Sequence, residues 1–181
     1  MLNKSLKFTF LTLLAYLLQA TVAPRIAIGG IAPNLALALA AIVSIALGRK
    51  YTFVMTLTIG YLLEIMLPAL NYINMILYPV CGILGALAFA DKNERTLEED
   101  RSLGKSGKQL PAHLRTVLCA LLSISIFELV NLIYTYLTGV ALNELQYGRA
   151  IVDIVYTTLL AGVLQFPVRW WLGVYKLKQA R

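Results

Sequence analysis

Long apolar runs, separated by short gaps that carry the charge, dominate this chain. The runs are nearly continuous over about 16–24 residues, the length that crosses a bilayer as a helix. A backbone in lipid must satisfy its own hydrogen bonds, which leaves helices or a closed barrel. Barrel strands alternate apolar and polar residues over about ten positions, and these runs do not. With 59% hydrophobic and 14% charged residues, the chain has too little polar surface for a soluble domain. We therefore predict an all-α polytopic membrane protein.

The apolar runs predict a bundle of six transmembrane helices in a single integral membrane domain, residues 1–181. Proline and glycine at the junctions are the expected helix punctuation. The second run is short for a full crossing. The predicted spans are 8–23, 34–47, 51–67, 72–90, 116–137 and 150–175.

The basic residues predict the orientation. Six spans place both termini on one side, and the ends and loops of that side carry nearly all the lysine and arginine; the opposite loops hold Arg25 and Arg149. The positive-inside rule then puts both termini in the cytoplasm. We therefore expect the basic residues behind the net charge of +7 to contact anionic membrane lipid, and we reject nucleic acid as a partner.

The polar segment 91–115 carries charges of both signs together with glycine and proline. It predicts a cytoplasmic loop, with one helical turn around residues 94–100. Such a loop either docks a cytoplasmic partner or links the two halves of the bundle. Cys81 and Cys119 lie inside apolar runs and His113 has no ligand at useful spacing, so we expect no disulfide, metal or other cofactor. No cleavable signal peptide is evident.

Ionisable residues inside the spans are the candidate functional groups, because each costs about 2.5–3.5 kcal/mol at mid-membrane on insertion scales. Glu128 lies near the middle of the fifth span, and Asn131 shares its helix face. We expect Glu128 to face inward and to be neutral, either as a proton- or substrate-binding group or as a packing group. Glu64 and Asp153 lie nearer the outer interface, where we expect them to be hydrated. Arg149 is spaced for a surface ion pair with Asp153.

Small residues mark the candidate helix contacts. Ala36 and Ala40 in the second span, and Gly82 and Gly85 in the fourth, offer surfaces for close helix approach. These faces either contact membrane partners or pack inside the bundle.

The order of these features resembles the rod shape-determining protein MreD family. Pro24-Arg25 and then Pro33-Asn34-Leu35 precede a short Leu/Ala-rich span that ends in Gly48-Arg49. The third span carries Gly60 and Glu64, and Pro68-Ala69-Leu70-Asn71 leads into Tyr78, Gly82 and Gly85. The resemblance covers residues 18–90. Asn34 and Glu64 stand where the family usually has aspartate, and the 91–115 loop is longer than is typical.

The resemblance implies a non-enzymatic scaffold of the bacterial inner membrane. Its implied partner is MreC, with MreB and the RodA–penicillin-binding-protein synthase as further members of the cell elongation machinery that builds peptidoglycan. The family has no catalytic residues to transfer to this chain. The alternative is the substrate-binding subunit of an energy-coupling-factor vitamin transporter, a class similar in size, helix count and architecture. The short outer loops do not form an obvious vitamin site.

Overall fold

The computed structural model describes residues 4–66, 72–90, 110–140 and 142–173. Of these, 86% are helical and none belongs to a strand, so the all-α prediction is confirmed. The α-helices of the described residues are α1 (Lys4–Leu17), α2 (Leu35–Leu47), α3 (Arg49–Ile65), α4 (Ile73–Phe89), α5 (Ala112–Leu137) and α6 (Glu144–Leu172).

Three of these helical stretches are long and apolar enough to cross a membrane. They are Ser5–Ile26, Ala112–Leu137 and Glu144–Leu172. The first includes α1 and its continuation through a π-helical segment, Leu18–Val22, and a 3-10 turn, Ala23–Ile26. Leu35–Leu47 and Ile73–Phe89 are apolar but shorter. The chain therefore has the character of a membrane protein.

Four helices begin earlier than the apolar runs predict. The structure starts α1 at Lys4, α3 at Arg49, α5 at Ala112 and α6 at Glu144, ahead of the predicted residues 8, 51, 116 and 150. A capping box explains the last case, since Asn143 and Gln146 satisfy each other's backbone N–H groups at the helix start. Hydropathy locates the apolar part of a helix and misses a polar first turn.

Helix α2 is the centre of the bundle. Every residue from Leu35 to Ile45 is buried, and all five other helices pack against it. Five alanines in and around this stretch keep its surface narrow, so neighbouring backbones approach closely. The bundle therefore encloses an apolar helix at its centre, and the site described below is built around this helix.

The first turn of α1 and the last turn of α6 meet at one end of the bundle, which we call the basic end. There Lys7 Nζ donates to the carbonyl of Trp171 at 3.0 Å, and an Arg169 guanidinium nitrogen lies 3.4 Å from Nδ1 of His113. Arg49 at the start of α3 reaches the carbonyl of Leu87 near the end of α4. Most of the loop 91–115 and its predicted helical turn lie outside the described residues.

Candidate functional site

The polar site begins at the N-terminus of α2. Asn34 is the N-cap, and its Oδ1 accepts a hydrogen bond from the backbone N–H of Leu37 at 3.1 Å. Asparagine is a favoured N-cap residue, because its side chain satisfies a backbone donor that the helix leaves open. The cap is only 5% exposed. The positive end of the α2 dipole therefore lies inside the bundle, next to whatever packs against Asn34.

Helix α6 supplies the groups that meet this helix end. The backbone N–H of Asn34 donates to Oγ1 of Thr157 at 2.9 Å, and that hydroxyl donates to Oδ1 of Asp153 at 2.8 Å. The Asp153 carboxyl also interacts with the backbone of Asn34. Donors from α2 and α6 thus converge on a buried carboxyl, which joins two helices far apart in the sequence.

Helix α5 brings a second carboxyl to the same place. The carboxyl groups of Glu128 and Asp153 lie close enough to interact, and the Asn131 side chain lies beside Glu128. A hydrogen bond between two carboxyl groups requires a proton on one of them, because an ionised carboxyl only accepts. The pair can therefore hold a proton inside the bundle. The two residues were predicted as separate candidates, and the fold brings them together.

The expectation that Asp153 is hydrated and pairs with Arg149 along the surface of α6 is wrong. Asp153 is 7% exposed and turned toward α2, whereas Arg149 is exposed. The sequence places Asp153 near the outer end of its span but does not reveal that the N-terminus of α2 lies at the same depth.

Helix α4 closes the cluster. The Tyr78 hydroxyl lies 3.5 Å from Oδ1 of Asn34, and its ring packs edge-on against Phe127 of α5 at 5.2 Å between centroids. Tyr78 is 4% exposed. Asn34, Tyr78, Glu128, Asn131, Asp153 and Thr157 together form what we call the polar cluster.

Sequence reasoning did not select Asn34, Tyr78 or Thr157 as site residues. The capping position of Asn34 carried a signal for a helix start, although not for burial. A tyrosine or a threonine within an apolar span is too common to point to a site. Only the contacts between α2, α4 and α6 identify these three residues as part of the site.

Glu64 lies apart from the polar cluster, in the hairpin between α3 and α4. It is 2% exposed, and its Oε2 accepts from the backbone N–H of Asn74 at 3.1 Å. Oε1 has no hydrogen-bond partner within the described part of the chain. The carboxyl thus caps the first turn of α4, where the helix leaves its backbone N–H groups without an intrahelical acceptor. The expectation that Glu64 is hydrated at the outer interface is wrong, because the packing of α4 covers it.

The small residues pack inside the bundle. A Cβ on Gly82 would lie 2.7 Å from Cγ2 of Thr56 in α3. A Cβ on Gly85 would collide with Oγ of Ser123 and lie 3.1 Å from the carbonyl oxygen of Cys119, both in α5. Glycine at these two positions therefore permits the approach of α3 and α5 to α4.

Ala36 and Ala40 share this internal role. Each is 1% exposed on the enclosed helix α2. The sequence left open whether the alanine and glycine faces meet partners or pack internally. The structure places all four residues in the interior.

The polar cluster offers hydrogen-bond donors, acceptors and two neighbouring carboxyl groups, and its members largely bind one another. Within the described ranges, no three His, Cys, Asp or Glu side chains converge as metal ligands. The buried thiols of Cys81 and Cys119 are free. Comparison with models of protein families, with curated proteins and with solved structures returns no match.

Proposed function

We propose that this chain is a non-enzymatic component of the bacterial cell elongation machinery, of the MreD type. In this proposal it lies in the inner membrane and scaffolds peptidoglycan synthesis together with MreC. MreB and the RodA–penicillin-binding-protein synthase are the further members of the assembly. Its work is to hold helix surfaces and loops in place for these partners.

One observation supports the proposal: the residues that carry the resemblance contact structural partners in the bundle. Asn34 caps α2 and meets Tyr78. Glu64 caps α4, and Gly82 receives Thr56 of α3. A resemblance carried by capping and packing residues is a resemblance of architecture. It fits a protein that acts through the shape of its bundle rather than through a reactive group.

The proposal includes six spans with both termini in the cytoplasm. Helix α2 has 13 residues, so it extends about 20 Å, less than the roughly 30 Å of hydrocarbon. Irregular backbone at membrane depth is tolerated where protein buries it. The enclosure of α2 by the other helices therefore allows a short central helix to complete a crossing with its flanking segments. The basic end then faces the cytoplasm.

Depletion in a rod-shaped bacterium that encodes this chain is the direct test. Loss of the protein should convert rods into spheres, and re-expression should restore them. Cells that remain rod-shaped after complete depletion would overturn the proposal.

A surface scan then tests the scaffold role. A tryptophan introduced at an outward position should leave the protein level unchanged, and at the partner face it should abolish copurification of MreC. The interior substitution Ala40→Trp is the control and should remove the protein itself. Retention of MreC by every outward variant would count against a helix-face scaffold. The outward positions for the scan, one on each peripheral helix, are Leu6, Phe53, Leu87, Leu129 and Leu159.

The polar cluster favours one alternative, the substrate-binding subunit of an energy-coupling-factor vitamin transporter. A few convergent polar groups in an apolar surround are the usual composition of a small-molecule site. In that case depletion should leave cell shape intact and stop the uptake of a vitamin. Copurification with a transporter ATPase in place of MreC would select this alternative.

A further inference from the structure

A groove runs between α1 and α6 at the basic end of the bundle. Its volume is about 360 Å³. Its lining is entirely apolar: Phe10, Leu11, Leu14, Pro167, Val168, Trp170 and Trp171. Both α6 and the stretch Ser5–Ile26, which contains most of α1, are long and apolar enough to cross a membrane. In a membrane, the open side of the groove would therefore face the hydrocarbon.

The walls of the groove include large side chains that the described part of the protein leaves exposed. Phe10 is 52% exposed and Trp170 is 76% exposed. The rings of Phe10 and Trp171 lie 6.0 Å apart between centroids and are tilted by 38°, so an aromatic contact joins the two helices within the lining. The shape is that of an open channel bounded by two helices and an aromatic contact.

A cation lies at the mouth of this groove. Lys7 is one turn before Phe10 and Leu11 on α1, and its Nζ lies 3.0 Å from the carbonyl oxygen of Trp171 and 5.8 Å from that ring. An ammonium has three N–H donors, and the Trp171 carbonyl accepts one of them. The carbonyl and the ring thus hold the charge beside the apolar channel, where it can also donate to an oxygen anion.

The charge of the described residues around Lys7 is complementary to an anion. Arg49, at the start of α3, shares the basic end with Lys7. Among the described residues, the carboxyl groups belong to Glu64, Glu128, Glu144 and Asp153, none of which lies at this end. Tryptophan is also a typical residue of the membrane interface, where its ring sits at the level of the headgroups.

We propose that the α1–α6 groove binds an anionic phospholipid, with an acyl chain along the apolar lining and the phosphate against Lys7. The inference requires that the chain lies in a membrane and does not depend on the proposed role in cell elongation. Each half of the ligand has a matching feature: the channel takes the chain and the held ammonium takes the phosphate. A neutral lipid would fill the channel equally well but would gain less from the basic end.

Tryptophan fluorescence reports on this groove directly, because the chain has two tryptophans and both line it. The purified protein is reconstituted in phosphatidylcholine vesicles that contain a small fraction of lipid with brominated acyl chains. Brominated phosphatidylglycerol should quench the fluorescence with about fivefold higher apparent affinity than brominated phosphatidylcholine, the effect expected for one basic residue near the headgroups. Equal quenching by the two lipids would overturn the proposal.

Variants at the mouth identify the charge responsible. Lys7→Gln should remove the preference for phosphatidylglycerol, whereas Lys7→Arg should retain it, which separates loss of charge from loss of fold. Lys50→Gln is the matched control, since Lys50 is an exposed lysine at the same end of the bundle. An equal loss of preference in Lys50→Gln and Lys7→Gln would mean a diffuse basic surface and would refute a site in the groove.

Photo-crosslinking in cells separates lipid from a protein occupant. A photoreactive phenylalanine analogue in place of Leu14, which lines the groove, should form an adduct with phospholipid that mass spectrometry identifies. The same analogue at Leu17, exposed on α1 and outside the lining, is the control for random contact with bulk lipid. A protein adduct at position 14 would show that a partner helix covers the groove and would overturn the proposal.

Discussion

The substitution Gly85→Ala tests the internal packing of α4 against α5. The added Cβ collides with Oγ of Ser123 and lies 3.1 Å from the carbonyl oxygen and 3.3 Å from Sγ of Cys119. The hydroxyl can rotate away, but the carbonyl belongs to the backbone of a helix. Relief therefore requires α4 and α5 to separate by a few tenths of an ångström.

Two opposing effects set the magnitude. Overpacking by a methyl group typically costs about 1–3 kcal/mol. Replacing a mid-helix glycine by alanine recovers about 1 kcal/mol of helix propensity. Gly162→Ala isolates the second effect, because its Cβ would lie 3.7 Å from Val117, an ordinary contact. The two variants should therefore differ in stability by about 1–3 kcal/mol, the overpacking cost alone.

Thermal unfolding of the detergent-solubilised protein, followed by loss of the monodisperse peak in size-exclusion chromatography, measures the difference. Gly85→Ala should melt below Gly162→Ala, by about 2–4 °C for each kcal/mol. The double variant Gly85→Ala with Ser123→Ala should recover part of the loss, since the closest contact is removed. Equal melting of the two glycine variants would refute the packing argument. A Gly85→Leu protein that accumulates normally yet loses a copurifying partner would place this face on the outside.

Two pairs of substitutions and one pair of labelled cysteines test the remaining inferences. Glu64→Leu leaves the N–H of Asn74 without its acceptor and should lower the free energy of unfolding by about 1–3 kcal/mol. Glu64→Gln keeps an acceptor and should melt close to the wild type. Equal melting of the two variants would refute the capping role. Glu128→Gln places a neutral amide beside the Asp153 carboxyl, so its protein level in the membrane should exceed that of Glu128→Lys. An equal loss of protein level in both variants would indicate that a negative charge is required. A cysteine at position 102 should be labelled only from the cytoplasmic side, and one at position 143 only from outside the cell. Labelling of position 102 from outside would contradict the proposed topology.

The apolar runs were sufficient to predict an all-helical membrane protein and the approximate positions of the described helices. The candidate carboxyls were also found from the sequence, because an ionisable residue within an apolar run is conspicuous. The pairing of Glu128 with Asp153 was not predictable, since nothing local to either residue indicates which helix faces it. The burial of Glu64 depends on its contact with Asn74 across a hairpin, and the sequence shows only that it lies near the end of a span.

The sequence by itself indicated that the chain suits a lipid environment and where its backbone is helical, because hydropathy and helix start and stop signals are local properties. Only the tertiary structure decided which helix is enclosed and which carboxyls meet. In a soluble protein, the polar face of a helix marks its outside, but in lipid the outside of a helix is as apolar as the core. The sequence that forms α2 therefore does not differ in pattern from the other apolar spans. Its central position follows from packing against all five neighbouring helices.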